Sequence, residues 1–588
     1  MTPTPTPPPM TPLPPPDGAL RACVVVPAHD EAALIANCLR ALADQAAVQP
    51  AAYEVILVLD ACTDQTPQVA RQTAAEHPSL RLHLVDGPGR GAGAARKLGM
   101  DLASSRLLSL GRLNGLIAST DADSTVAADW LDVQLRAVSA GAQAIGGRVE
   151  LFPTDAAALD PELLDRRAAR AAARHARIPR PDDRRPDHWQ FSGASMSLTA
   201  ATYLAIGGLD PHAALEDEGL ERSLTRNGVP IHRRLDVRVA TSGRLRGRAA
   251  RGLAHDLALD DWLIRRTYRD SVSLERLLAA KRQTISVILP TRNVADTLGP
   301  LLDALAPSRE AGLIDEILIV DADSTDPTAQ VAADHGLAVL QESRLLPAFG
   351  PCLGKGDALW RGLSAARGDL VAFLDTDTQN FSARFLLDLL APLVADSSIH
   401  FVKGAFRRPF TLGEETTPDG GGRVTELLAR PLLNLHLPDL AGFAQPLAGE
   451  VAGRRDLLEA LAFPVGYGVE IAMLIDAYRA VGRDGLAQAE LGVRENRHQP
   501  LGELGAMAYQ VLVAAQRRIH GAEAIDRLGP GTLLQPANGT VEPRALAIDE
   551  RPPLSTLRAS TAAAAAGASR ACGAGPGVGR AGAGAGRG

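Results

Sequence analysis

Two stretches decide the fold: RACVVVPAHDEAALIANCLRAL at residues 21–42 and TISVILPTRNVADTLGPLLDAL at residues 284–305. Each opens on a short apolar, β-branched run, passes a proline and a polar turn, and enters an amphipathic stretch. Runs of this kind, bounded by turn residues, read as buried parallel strands. The stretches at 32–43 and 295–306 carry the helical period. The correspondence continues outward in the same order. YEVILVLDACTDQTPQVA (53–70) answers to DEILIVDADSTDPTAQVA (315–332), GRGAGAARKLGMDLA (89–103) to LGKGDALWRGLSAA (353–366), and LIASTDADST (116–125) to LVAFLDTDTQ (370–379). Four segments in register mark a diverged internal repeat. Strand–helix–strand order calls for right-handed crossovers and a mostly parallel sheet, so the expectation is two tandem α/β, Rossmann-like domains. Such sheets take ligands at the carboxyl ends of their strands, where Asp60, Asp121, Asp321 and Asp375 fall.

The rest of the chain bounds the reading. Its 588 residues exceed one ordinary core. The formal net charge is -7 and no basic stripe is present, which argues against a nucleic-acid partner. An anionic substrate then depends on a local site, because the overall field does not favour it. The five cysteines, at 23, 38, 62, 352 and 572, include no CxxC pair, so neither zinc nor a disulfide framework is expected and a cytoplasmic protein fits best. The first residues lack the pattern of a signal peptide, and no apolar run reaches 18 residues. The expected map is a Pro-rich disordered arm at 1–19, a first domain at 20–270, a linker at 271–283, a second domain at 284–525 and a mostly disordered Ala/Gly-rich tail at 526–588.

The chemistry concentrates in the second copy. Asp375 and Asp377 follow an apolar strand at i and i+2, where two carboxylates can converge on a divalent cation and a diphosphate. The plainer alternative is two solvated turn residues, and the repeat argues against it. Asp321 suits a ribose or uracil edge, while Ser324, Thr325 and Asp326 suit a turn or helix cap. Lys355 between two glycines can reach a phosphate. Gly422, Arg423 and Thr425 bring backbone amides, a guanidinium and a hydroxyl together, which suits a phosphate or carboxylate; a flexible loop into a helix is the alternative.

Together with HFVKGAFRRPF (400–410), GGGRVTELLARPLL (420–433), QPLAGE (445–450), PVGYGVEIAMLIDAY (464–478), LGVREN (491–496) and PLGELGAM (500–507), these segments resemble the glucosyl-3-phosphoglycerate synthases, retaining glycosyltransferases of GT-A fold. The resemblance implies a nucleoside-diphosphate glucose, UDP-glucose first, as donor, 3-phosphoglycerate as acceptor, and Mg2+ or Mn2+. Mannosyl transfer to the same acceptor is the rival. The resemblance to the glucosyl synthases assigns the metal to Asp375 and Asp377, the donor to Pro290, Asn293, Asp321, Lys355, Asp375 and Arg494, the acceptor to Gly422, Arg423, Thr425 and Tyr467, and catalysis to Asp377 and Glu470. Two positions depart from the family pattern. Val294 stands where a glutamate is usual, and Asn496 where the family has a metal-ligand histidine. His498, two residues on, would keep the same face of an extended segment and is taken as the third ligand, with Asn496 as the weaker alternative.

The first copy resembles the broad family-2 glycosyltransferases through PAHDE (27–31), Asp60, STDADS with Asp121 and Asp123 as metal residues, and GGLDPHAALEDEGLERSL (207–224). Asp217, with Glu216 and Glu218 beside it, is the expected general base of a second, inverting transferase of unknown substrate. The alternative is a non-catalytic binding or dimerisation module, and a homodimer is a possible assembly.

Overall fold

The computed structural model describes residues 13–178, 187–211, 215–248, 251–412, 415–417, 420–495, 500–537 and 539–558. The chain divides into two compact units between Ile264 and Arg265.

The N-terminal unit contains strands β1 (Ala22–Ala28), β2 (Tyr53–Leu59), β3 (Leu82–Asp86), β4 (Leu116–Ser119), β5 (Ser124–Val126), β6 (Ala144–Leu151), β7 (Met196–Thr199) and β8 (Ile231–Thr241). They form one sheet in the order β3-β2-β1-β4-β7-β6-β8-β5. The β3-β2-β1-β4 portion is parallel, and β7 runs antiparallel to both of its neighbours. Every residue of β1 and β2 is buried, as continuous apolar runs between two helical layers must be. Two apolar clusters, one around Leu39 and Trp130 and the other around Met100 and Tyr203, make up the core.

The C-terminal unit repeats the plan. Its strands are β9 (Thr267–Tyr268), β10 (Ile285–Thr291), β11 (Glu316–Asp321), β12 (Val339–Gln341), β13 (Leu370–Phe373), β14 (Phe401–Arg407), β15 (Phe410–Leu412), β16 (Glu415–Thr417), β17 (Val451–Arg454), β18 (Phe463–Pro464), β19 (Leu486–Val493), β20 (Thr532–Ala537), β21 (Thr540–Ala545) and β22 (Glu550–Arg551). The main sheet runs β12-β11-β10-β13-β17-β14-β19-β9, matching the first sheet strand for strand except at the last position.

The repeat extends to single hydrogen bonds. Asp30 and Asn293 both adopt positive φ, at 52° and 54°, a conformation open mainly to Asp, Asn and Gly. The Asp30 carboxylate accepts from the Thr63 amide at 2.6 Å, and the Asn293 side-chain oxygen from the Thr325 amide at 2.8 Å. Asp64 accepts from the Ala32 amide and Asp326 from the Ala295 amide, each at 3.0 Å. The Thr66 and Thr328 hydroxyls accept from the amides of Glu31 and Val294. Each set ties the loop after the first strand to the loop after the second, so the carboxyl edge of the sheet is rigid where a ligand would meet it.

Three boundaries differ from the sequence reading. Residues 271–283 are not a bare linker, since helix Leu274–Ala280 buries Leu277 in the second core, and β9, within the expected first domain, pairs with β19 of the second sheet. Residues 13–19 of the expected arm are held down, with Arg106 donating to the Pro14 carbonyl at 2.7 Å and Arg81 paired with Asp17 at 2.8 Å. The described part of the expected tail carries a β20–β21 hairpin and β22, which pairs with β18. Arg551 on β22 reaches the wholly buried Asp357, and the Trp360 indole donates to the Pro552 carbonyl at 2.8 Å. Composition did not reveal this, because the anchoring partners lie about 190 residues away. Arg551→Ala is expected to cost about 1.5–3 kcal/mol, the range for hydrogen bonds to a charged group, since Asp357 keeps Arg361; a urea midpoint shift measures it. Residues 1–12 and 559–588 lie outside the described residues. No helix among the described residues is long and apolar enough to cross a membrane.

Candidate active site

Asp375 stands two residues beyond β13 and is the centre of a buried ionic network. Lys355 opens helix Lys355–Ala365, entered through Gly354 at φ 133°, and its ammonium lies 2.5 Å from Asp375 Oδ1 and 2.7 Å from Glu470 Oε1. Glu470 sits in the first turn of helix Val469–Val481. From beyond β19, the Arg494 guanidinium reaches Asp375 Oδ2 at 2.8 Å, Glu450 Oε2 at 2.9 Å and Asp377 Oδ1 at 3.3 Å, and Nε donates to the Thr378 hydroxyl. Burial opposes charge on Asp375, but Lys355 and Arg494 outweigh it and hold the carboxyl below its ordinary range. Burial likewise opposes charge on Lys355 and Arg494, and their carboxylate partners raise both above the usual values.

Beneath this layer lies Lys403 on β14, fully buried and donating to the Ala448 carbonyl at 2.9 Å; burial lowers its pKa to about 8 against the pull of Glu470. Gly449 leaves room for Asp375: a Cβ built there would lie 2.3 Å from both carboxylate oxygens. Gly449→Ala is therefore expected to displace Asp375 and lower turnover about 10²-fold, the scale of a 1 Å misplacement, as initial rates would show.

Other expected residues take more structural places. Asp321 accepts from the Thr291 and Ser324 hydroxyls, the Ser324 amide and the Gln341 side chain. Those four bonds fill the acceptor positions of one carboxylate, so a ribose or base contact would have to displace one of them. The Asn293 oxygen is engaged in the loop tie already described. The Pro290 carbonyl accepts from the Thr376 hydroxyl and fixes the turn that carries the acid pair. Gly422 has φ 71°, and Thr425 behind it is buried. The Gly421 amide donates to the carbonyl of Arg408, whose guanidinium stacks on Phe406 beside that of Arg494. Arg408 thus links the GGGR loop, and with it Arg423, to the acid pair, and its buried Nε lacks a partner among the described residues. Tyr467 is 43% exposed at the edge of the same helix as Glu470. Asn496 and His498 lie outside the described residues.

The donor set suits a hard cation. Asp377 is 63% exposed and held by Arg494 at 3.3 Å, and the buried Glu450 Oε1 beside Asp375 has no hydrogen-bond partner among the described residues. Sequence reasoning assigned no role to Glu450, Lys403 or Arg408. The available signal was a lone charge inside an apolar strand or turn, as in FVKGAF and PLAGE.

The N-terminal unit has a counterpart. Arg96, on helix Ala92–Ser109, joins Asp121 at 2.6 Å to Glu216 at 2.9 Å, just as Lys355 joins Asp375 to Glu470. Asp217 accepts from the Gly193 and Glu218 amides; burial and then the neighbouring Glu216 push its carboxyl up to about 6. Asp123 is raised to about 6 by burial and by Asp121, and Arg244 lies 2.8 Å from its Oδ2. Arg244 also grips Glu31 through two bonds, and Arg248 adds a third. Arg96 and Arg244 thus hold the acid pair Asp121 and Asp123, as Lys355 and Arg494 hold Asp375 and Asp377.

This sheet order, with an acid pair beyond its fourth strand and a cation from the helix before that strand upon it, defines the GT-A class of nucleotide-sugar transferase fold. The model of glycosyl transferase family 2 matches residues 23–191 and 286–443, and the chain belongs to that family. It is accordingly a glycosyltransferase. The glucosyl-3-phosphoglycerate synthase of Mycolicibacterium smegmatis is 41% identical over 302 residues, spanning 50% of this chain and 98% of that protein. Among solved structures, the glucosyl-3-phosphoglycerate synthase of Mycobacterium tuberculosis in complex with Mn2+, UDP-glucose and phosphoglyceric acid is 38% identical at a TM-score of 0.45, covering 50% of this chain and 98% of that one. The mannosyl-3-phosphoglycerate synthase of Rubrobacter xylanophilus is 40% identical at 0.46, covering 50% and 99%.

Proposed function

We propose that the C-terminal unit transfers glucose from UDP-glucose, or another nucleoside-diphosphate glucose, to 3-phosphoglycerate with retention, giving glucosyl-3-phosphoglycerate for glucosylglycerate synthesis. One observation carries the reading. The Lys355–Asp375–Arg494 network stands at the strand ends of a unit bearing the GGGRVTEL and GYGVEI motifs, in a chain 41% identical to such a synthase over nearly its whole length. Asp375 and Asp377, with Asn496 or His498, would hold Mg2+ or Mn2+, whose charge stabilises a diphosphate leaving group. Lys355 and Arg494 are positioned to neutralise the same oxygens, each already fixed by carboxylates and so needing little reorganisation. Glu470 orients Lys355 and keeps its amine charged. Arg423 and Thr425 would take the acceptor phosphate, in a loop hooked to Arg408.

A donor and acceptor panel tests this. UDP should be released with UDP-glucose and 3-phosphoglycerate, much less with glycerate or with GDP-mannose. Preference for GDP-mannose would make the unit a mannosyl transferase. Pyrophosphate release would make it a nucleotidyltransferase.

The N-terminal unit is read as a second, inverting glycosyltransferase with Asp217 as general base, supported by the Arg96–Asp121–Glu216 network and by a carboxyl raised toward neutrality. The ionised carboxylate is the active form, so donor hydrolysis by this unit is expected to fall about tenfold per unit below pH about 6. A pH–rate profile checks this; Asp217→Asn should abolish the activity at every pH.

A further inference from the structure

We propose that the N-terminal unit binds a nucleoside diphosphate without a metal ion, on the guanidinium groups of Arg244 and Arg248. The inference rests on the reading of that unit as a second transferase.

Position comes first. Arg244 follows β8 and reaches Asp123 beyond β4 and Glu31 beyond β1. Its guanidinium therefore lies over the carboxyl ends of the central strands, where sheets of this kind take their ligand. The side chains of Arg244 and Arg248 are 26% and 40% exposed. A guanidinium carries five N–H groups, and the bonds to Glu31 and Asp123 leave donors on each arginine to face solvent.

The repeat supplies an independent comparison. β8 and β19 hold the same place in the two sheets and end at Thr241 and Val493. Three residues beyond these ends stand Arg244 in one half and Asn496 in the other. The residue whose amide bonds the matching threonine, Thr66 or Thr328, is Glu31 in the first half and Val294 in the second. The C-terminal unit also lays an arginine, Arg494, on its acid pair, but there the second acid, Asp377, stays 63% exposed, against 16% for Asp123 under Arg244.

The chemistry is consistent with this exchange. The planar forks of the two guanidinium groups match phosphate oxygens in pairs, and their outward N–H groups are the donors a diphosphate would meet. Glu31, 6% exposed and gripped by both arginines, fixes them before any ligand arrives, which limits the entropy lost on binding. Arg96, 2% exposed, is paired with Asp121 at 2.6 Å.

Calorimetry on the full chain tests the proposal, using UDP, GDP, CDP, ADP and dTDP in EDTA. One of these is expected to bind at one site per chain, and Asp377→Ala should leave that binding unchanged. Arg244→Ala and the more exposed Arg248→Ala should each weaken it at least tenfold, with thermal melts confirming that the variants fold. Binding in EDTA that neither arginine variant alters would overturn the assignment. If Asp377→Ala protein binds nucleotide only when Mg2+ is present, the unit is a metal-dependent site; the metal-free inference fails and the transferase reading stands. If it binds none under either condition, both fail and the unit is a binding or dimerisation module.

Discussion

Arg494→Met is expected to lower the stability of the C-terminal unit by about 3–5 kcal/mol, the range for removing one partner from a buried ion pair. Arg494 is almost wholly buried, and its guanidinium serves Asp375, Asp377 and Glu450 at once while stacking on Phe406. Without it, Glu450 would be a carboxylate with no bonded counter-charge in a site where burial already raises its pKa. Methionine fills similar space, so the loss is electrostatic more than steric. Urea unfolding followed by a probe in this unit measures it. Arg494→Lys should recover only part of the loss, because an ammonium cannot span three carboxylates in fixed geometry. Wild-type stability in Arg494→Met would mean that the network is not a structural element.

Asp377→Ala should behave in the opposite way. The side chain is 63% exposed and its ion pair with Arg494 is 3.3 Å long, so the melting temperature should shift little. Turnover should fall by about 10³-fold or more, since a bound metal's charge is worth several kcal/mol to a transition state and each 1.4 kcal/mol or so is tenfold in rate. The pair of variants separates two roles that adjacent carboxylates share: Asp375 is built into the protein, whereas Asp377 faces outward.

Much of this was legible in the sequence for a physical reason. The strands at 22–28, 53–59, 285–291 and 316–321 are continuous apolar runs, and such runs announce buried parallel strands without help from distant residues. The acids at the strand ends followed from topology. What was hidden depends on contacts distant in sequence. Glu450 pairs with a residue 44 positions away, Lys403 bonds a carbonyl 45 away, and Asp357 is met by an arginine 194 away. Thr267–Tyr268 is too short to show a period and becomes a strand only because β19 offers an edge. Asp321 and Asn293 show why residue type alone is ambiguous: types that suit a ligand also suit a turn, and here their oxygens brace the loop. In the N-terminal unit the acid pair suggested a metal, and only the fold brought Arg244 onto Asp123, far earlier in the chain.

The repeat also gives the two sites a common logic. Each sets a cation from the third helix between a strand-end aspartate and a glutamate on a later helix, Arg96 in one and Lys355 in the other.

The most direct measurement is the product itself. Full-length protein incubated with UDP-glucose, 3-phosphoglycerate and Mg2+ should yield a phosphorylated glucoside with the mass of glucosyl-3-phosphoglycerate and the α-anomeric proton coupling that retention requires, and Asp377→Ala should yield none. No such product from any nucleoside-diphosphate glucose, or an undiminished yield from Asp377→Ala, would contradict the account.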